Sequence, residues 1–423
     1  MKLFDFQRQA LEHVEGWKRV AFYMDMGLGK TFVGAEQLAR YANDFNLVVC
    51  QKSKIDDWVE HFKTHYPQFH VFNGREIIAI PRVKKPKIVV INYDLLSKRE
   101  FILNLKEKVG NWTLLLDESS LIQNYRTLRW KTVQKLDFSH VILLSGTPIA
   151  GKYERLYTQI KLLNPDFDIS LNEFWERYVL YRTINVGFPM KVAVGYKNVH
   201  ELKDRWLKRN VFWRQTMEVL ELPEKRFIDV TVPVNPVYSQ FMKDRVVWWE
   251  DKELIADNPL VMLTHGRRIC AYGNHEKLEK FSEILESTES RLIVFYNFTE
   301  EMQRLRTIAQ QHDRPVSVVS GSEKDLKAYE IEESSVTFVQ YQAGAMGLNL
   351  QKANMMIFAS PTLSCDLYMQ AQKRIHRIGQ VNRCTYYRLY VKGSVEEKIY
   401  AALERGEDYT QKLFELEVNG DGA

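Results

Sequence analysis

Short apolar runs alternate with longer amphipathic stretches, and this alternation occurs twice along the chain. The first set of runs lies at 20–24, 47–50, 88–91, 113–116 and 141–144; the second lies at 292–296, 316–319, 336–340, 355–359 and 386–391. Rich in Val, Ile and Leu, they read as strands buried on both faces, and the stretches between them read as covering helices. The pattern predicts an α/β fold with two lobes, each built on a parallel sheet. Between them, 153–285 reads as mostly helical, with one strand-like break at 186–196 punctuated by Gly187, Pro189 and Gly195. Pro223, Pro233 and Pro236 mark a stretch that reads as the crossing between lobes, and Trp248-Trp249 reads as part of an amphipathic helix, with one ring in the core and one at the surface. A base-stacking pin is the sharper alternative for that pair. No repeat of 20–50 residues is visible, and the last residues, 419–423, read as frayed.

Length and composition narrow the class. A chain of 423 residues, 45% hydrophobic and 27% charged, fits two or three domains with a sizeable core. No apolar run approaches the roughly 18 residues of a membrane span, and the start MKLFDFQRQ lacks a signal-peptide core. The expectation is a protein that stays in the compartment where it is made. Cys50, Cys270, Cys365 and Cys384 form no CxxC pair, and read as buried free thiols in a reducing cytoplasm. The net charge of +5 is uneven: residues 1–210 sum to +10 and residues 211–423 to −5. A basic half suits a surface that tracks phosphates. Its densest run, Arg82, Lys84, Lys85 and Lys87, reads equally as a solvated loop.

The strongest local signal is Met24-Asp25-Met26-Gly27-Leu28-Gly29-Lys30-Thr31 between a strand and a helix. Glycines let backbone wrap an anion, and helix-start N–H groups cradle phosphate. Lys30 then reaches the β- and γ-phosphates and Thr31 ligates Mg²⁺, although Met24 stands where the general pattern has Gly. Asp117-Glu118 follows another strand, at the sheet edge where such folds bind ligands. Asp117 is expected to hold Mg²⁺ and Glu118 to polarise a water. Ser145-Gly146-Thr147-Pro148 closes a third strand and is also a good turn. In the second half, Gln370, Arg374 and Arg377 are spaced to share one helical face, from which two arginines can clamp a triphosphate. Their near flanks carry no acid. Residues 340–350 form a small-residue loop after a strand.

With these pieces in order, the chain resembles the Swi/Snf-type ATPases of helicase superfamily 2, from about Phe4 to Phe414. The resemblance is carried by Phe6-Gln7, MDMGLGKT at 24–31, VVCQKS at 48–53 followed by Trp58, INYDLL at 91–96, DESS at 117–120, LSGTP at 144–148, QAGAMGLNL at 342–350 and QAQKRIHRIGQ at 370–380. Gly195 to Asn198, Glu201-Leu202, Arg214, Leu222-Pro223, Arg268 to Cys270 and Phe295 to Phe298 add to it. Three positions depart from the family pattern: Ser120 in place of His, which implies looser coupling between hydrolysis and movement; Gln123 in place of Lys; and Gln215 in place of Arg. The compact length, the DESS box and the FYNF segment are most similar to versions carried by bacteriophages and prophages, which implies a bacterial cytoplasm.

The resemblance implies two tandem RecA-like lobes with helical insertions: residues 1–212, with a helical extension at about 151–212; residues 213–415, with an insertion at about 236–285; and a tail, 416–423. It implies ATP and Mg²⁺ as cofactors, with Gln7 reading adenine beside Gly27, Leu28, Gly29, Lys30 and Thr31. Lys30, Asp117, Glu118, Gln370, Arg374 and Arg377 are implied as catalytic groups in a cleft between lobes. Duplex DNA is the implied partner, stepped along without strand separation or sequence preference. Lys52, Ser53, Arg126, Thr127, Phe298 and Asn349 are implied strand contacts by motif position, and packing or solvated surface is an equal reading for each. No membrane partner is implied, and the chain is expected to be a monomer. A strand-separating DNA or RNA helicase, an ATP-holding scaffold, or a motor working with a nuclease, replication or recombination protein remain as alternatives.

Overall fold

The computed structural model describes residues 3–84, 86–103, 105–149, 152–185, 189–214, 222–344 and 348–410. Lys85, Gly187, Gln215, residues 345–347 of the small-residue loop and the tail from 416 lie outside the described residues. The chain divides into two compact units, Met1–Leu220 and Glu221–Ala423.

In the first unit the strands are β1 (Arg19–Met24), β2 (Phe45–Cys50), β3 (His70–Asn73), β4 (Lys87–Asn92), β5 (Trp112–Asp117), β6 (His140–Ser145), β7 (Val179–Asn185), β8 (Pro189–Tyr196) and β9 (Val211–Arg214). Seven of them form one sheet in the order β3-β4-β2-β5-β6-β1-β9, and every pair in it is parallel. Helices α1 (Asp5–His13), α2 (Lys30–Tyr41) and α3 (Ile55–His65) help to cover it. Successive strand residues feed opposite cores. Ala21, Tyr23, Leu47, Val49, Leu114 and Leu116 pack on one side; Val20, Phe22, Met24, Val48, Cys50 and Leu115 pack on the other. That two-residue alternation, with both faces apolar, is why the runs contain so little polar punctuation.

The second unit holds β10 (Lys225–Val232), β11 (Val246–Trp249), β12 (Lys252–Ile255), β13 (Leu292–Tyr296), β14 (Val316–Val319), β15 (Lys324–Asp325), β16 (Val336–Gln340), β17 (Met355–Phe358) and β18 (Cys384–Val391). Its main sheet has the order β10-β18-β17-β13-β16-β14-β15, parallel throughout except for β14 with β15. Two mostly parallel seven-stranded sheets flanked by helices are the tandem RecA-like architecture expected from the sequence. All ten expected strands are present, within three residues at either end.

The region between them is less helical than expected. β7 and β8 pair as an antiparallel hairpin, and β9 pairs with β1, so the first sheet reaches past the division expected at 212/213. The Pro-bearing stretch is no plain crossing either, because Lys225–Val232 pairs along its whole length with β18. Trp248-Trp249 lies in the hairpin β11–β12, not on a helix. Two β-branched residues and two aromatics favour a strand, and Glu250 and Asp251 at the turn both have positive φ, as tight hairpins require. One ring is exposed, Trp248, and Trp249 packs on Tyr272. All four cysteines are buried, and none forms a disulfide. No described helix is long and apolar enough to cross a membrane.

The second core encloses charge. Lys277 Nζ donates to both carboxylate oxygens of Glu396 at 2.8 Å, with each side chain at most 2% exposed. A buried pair of this kind stands only because both partners are present. Nearby, Glu301 accepts hydrogen bonds at Oε2 from the Asn297 and Phe298 amides and from Ser360 Oγ. Burial pushes its carboxyl up to about 7, against the opposing pull of Lys277. An unfolded glutamate releases its proton near pH 4.5, whereas Glu301 in the fold holds it to about 7. Stability of the second unit is therefore expected to fall as pH rises between those values and then to level off. Glu301→Gln should flatten that slope, as read from urea unfolding at a series of pH values.

Candidate active site

β1 ends at Met24, and the chain turns through Asp25 to Gly29 into α2. Gly27 and Gly29 have φ of 89° and 73°, a region that side chains with a Cβ enter only at a cost. Space also demands glycine at 29, since a Cβ there would stand 2.4 Å from Gln7 Nε2. That amide is buried and donates to Leu28 O at 3.0 Å, while Gln7 Oε1 accepts from the Phe4 amide at 3.0 Å. α1 is thus pinned to the loop through Gln7. Lys30 Nζ folds over the loop and donates to Met24 O at 2.9 Å and Asp25 O at 3.3 Å. Gly146, after β6, comes so near that a Cβ would lie 3.2 Å from Lys30 Nζ. Thr31 follows in the first turn of α2.

Asp117 is the last residue of β5. Its Oδ2 accepts the indole N–H of Trp58 at 2.8 Å, and its backbone carbonyl accepts from Tyr93 Oη at 2.8 Å. Burial pushes the carboxyl above the usual carboxylate range, while the Trp58 hydrogen bond and the Lys30 ammonium oppose that rise. Glu118 occupies the left-handed region, φ 55° and ψ 58°. A non-glycine residue held there costs on the order of 1–3 kcal/mol, and such strain clusters at functional sites. Glu118 Oε1 accepts from Ser120 Oγ at 2.8 Å and from Ser145 Oγ at 3.5 Å. The serine that departs from the family pattern is therefore a donor to the neighbouring carboxylate.

One polar residue escaped the sequence reading. Gln159, fully buried on the helix Leu156–Leu163, accepts from Tyr23 Oη and Ser119 Oγ and donates to Pro148 O. It ties β1, the acidic box and the Ser145–Pro148 turn together, and Gln123 Nε2 reaches the same Pro148 carbonyl at 2.8 Å. A glutamine inside the apolar run LYTQIKLL is the sequence signal that marks it.

In the second unit the helix Cys365–Gln372 carries Gln370 but stops before the arginines. Arg374 and Arg377 sit in the turns that follow, so they share no helical face with Gln370. The ladder tightens where the helix ends: Arg374 N turns to Ala371 O, and Tyr386 Oη takes Gln372 O at 2.8 Å. Beyond that point Leu350 N takes Arg374 O, and Gln380 Nε2 takes Ile375 O along with Gln351 O and Ala353 O. Arg374 is buried. Arg377 donates to Leu348 O at 3.3 Å, which joins the two sequence motifs of this unit, and burial lowers its pKa.

The expected strand contacts scatter in character. Lys52, Arg126 and Asn349 are exposed, and Ser53 is half-buried. Thr127 caps the helix Leu128–Val133, accepting from Trp130 N. Phe298 lies under Arg267 and Arg268, with guanidinium carbons 5.3 and 5.8 Å from the ring centre. Trp58, which belongs to a motif expected to touch the strand, is only 1% exposed; its ring packs inward, with its N–H on Asp117.

Residues 20–278 match the family described as SNF2-related domain, and residues 276–379 match the helicase conserved C-terminal domain. The chain is 25% identical to the SWI/SNF-related matrix-associated actin-dependent regulator of chromatin subfamily A-like protein 1 of Xenopus tropicalis, over 95% of this chain and 44% of that protein. It is 25% identical to the putative ATP-dependent helicase/translocase YwqA of Bacillus subtilis, over 93% of this chain and 46% of the relative. It therefore spans less than half the length of either. Among solved structures, the Sulfolobus solfataricus SWI2/SNF2 ATPase core in complex with dsDNA aligns with a TM-score of 0.46 at 21% identity, covering 100% of this chain and 94% of that one.

The loop geometry has a direct test. Gly29→Ala would meet both the positive φ and the Gln7 amide, and is expected to destabilise the first unit by roughly 2 kcal/mol, measured as a shift in the urea midpoint.

Proposed function

The chain belongs to the SNF2-related family, and from that premise we propose that it is an ATP-dependent motor on nucleic acid, with double-stranded DNA as the track. The observation that carries this reading is the set of groups gathered at the strand ends of the first sheet. A lysine folded over a glycine loop stands beside two carboxylates, one of them part-buried and the other held in a strained backbone conformation. The loop suits a polyphosphate, because its amides and Lys30 supply positive charge and the glycines leave room for the anion. Thr31 and Asp117 fit a divalent cation as ligands, and such an ion would offset the charge of the β- and γ-phosphates.

In this reading Gln7 stands beside the adenine while holding the loop. Glu118, aimed by Ser120 and Ser145, orients the attacking water. Arg374 and Arg377 supply positive charge to the transition state, and Gln370 a neutral hydrogen-bonding amide. Lys52, Ser53, Arg126, Thr127, Phe298 and Asn349 meet the DNA strand, mainly at its phosphates. The printed name of the Bacillus relative joins helicase with translocase, and the absence of strand release from a partial duplex would favour the second.

The test is steady-state ATP hydrolysis alone and with duplex DNA, single-stranded DNA or RNA. Strong stimulation by the duplex is expected, with Lys30→Ala inactive. Stimulation by single strands only would overturn the duplex reading, and no turnover under any condition would overturn the motor. Arg377→Ala should lower duplex-stimulated kcat by about 10³–10⁵ if the arginine serves the leaving phosphate, and a fall of only a few-fold would remove it from that role.

A further inference from the structure

The acidic box carries a hydrogen bond that the motor reading does not by itself require. Trp58 lies on α3, two strands away in chain order from β5. Its ring stacks on Phe62 and meets His61 edge-on, in the core on one face of the first sheet. From that seat its N–H reaches Asp117 Oδ2 at 2.8 Å. An indole N–H has one donor and no acceptor. It therefore stabilises the ionised carboxylate and restrains it at one named oxygen. Tyr93 Oη holds the backbone carbonyl of the same residue at 2.8 Å, so Asp117 is tied at two points, one on its side chain and one on its backbone.

We propose that Trp58 is the positioning residue for Asp117. By holding Oδ2 it restrains the carboxylate in one orientation, in which the group would be presented to a divalent cation. The inference rests on the ATP-site reading above. It assigns Trp58 to the metal's outer shell rather than to the DNA surface. Outer-shell partners of this kind are typically worth 10–100-fold in metal affinity.

The experiment is a titration of Mg²⁺ into the whole chain in the presence of a fluorescent, non-hydrolysable ATP analogue. The readout is the Mg²⁺ concentration that half-saturates the Mg²⁺-dependent rise in analogue binding. Trp58→Phe keeps an aromatic ring and loses the donor. It should raise the half-saturating Mg²⁺ about tenfold or more, and leave analogue binding without Mg²⁺ unchanged. Because Phe is smaller, the ring deletion is controlled by placing β-(3-benzothienyl)alanine at position 58, which keeps the bicyclic outline without the N–H. The same shift is expected there, with the circular dichroism and unfolding midpoint of the parent. In an Asp117→Asn chain, Trp58→Phe should add no further shift, since coupled neighbours are non-additive. An unchanged Mg²⁺ dependence in both variants at 58 would overturn the positioning role while leaving the ATP site in place. A parent chain with no Mg²⁺-dependent analogue binding would instead overturn the ATP-site reading, and the inference with it.

Discussion

Parallel pairing is the constraint from which the rest follows. When neighbouring strands run the same way, all of their carboxyl ends fall on one edge of the sheet. In the first unit that edge receives the loop after Met24, the turn after Cys50, Tyr93 after β4, Asp117 and Glu118 at the end of β5, and Ser145 at the end of β6. These residues lie far apart in sequence, yet the hydrogen bonds between them are direct: Trp58 to Asp117, Tyr93 to Asp117, Ser145 to Glu118. No long loop is needed to assemble them. The helices on both faces are what allow such a sheet to exist, since a parallel sheet leaves no face for water.

That constraint also explains what could be read in the sequence. The strands were legible because burial on both faces leaves apolar runs that need no tertiary information. The loop from Gly27 to Thr31 and the pair Asp117-Glu118 were legible because their chemistry is local and each follows such a run. The roles of Trp58 and Gln159 were not. Both act through hydrogen bonds across the sheet, and an inward tryptophan looks the same in a sequence as one that meets a ligand. The end of the helix at Gln372 was missed for a similar reason. Spacing alone favours continuing through Arg377, and the competing bond at Gln372 O comes from Tyr386, which periodicity does not register. Between the two sets of runs, β10, β11 and β12 do not stand out because charged and exposed residues interrupt them, so they lack the apolar run that marks the others.

The two units handle buried polarity differently. In the first, Gln159 ties Tyr23, Ser119 and Pro148 together beside the acidic box and the glycine loop. In the second, the Lys277–Glu396 pair and Glu301 are enclosed by helices and the ends of strands, with backbone amides and Ser360 as further partners. The first arrangement fixes the side chains of the candidate site in place. The second fixes helices to one another, because a charge without its partner in that core would be severely destabilising.

The topology of the second sheet also bears on how the chain is made. Among the described residues β10 is the first strand of its unit to leave the ribosome, and its one partner is β18, the last; along that ladder Asp229 and Arg388 meet across 159 residues of chain. During synthesis β10 must wait, with its hydrogen-bonding edge open, until nearly the whole unit has emerged. A waiting strand is a template for wrong pairing. Lys225, Arg226 and Asp229 punctuate it with charge, and Asp229 later becomes the ion-pair partner of Arg388. The alternation of charge and apolar residue that hid this strand from sequence reading is the same feature that keeps it soluble until its partner arrives.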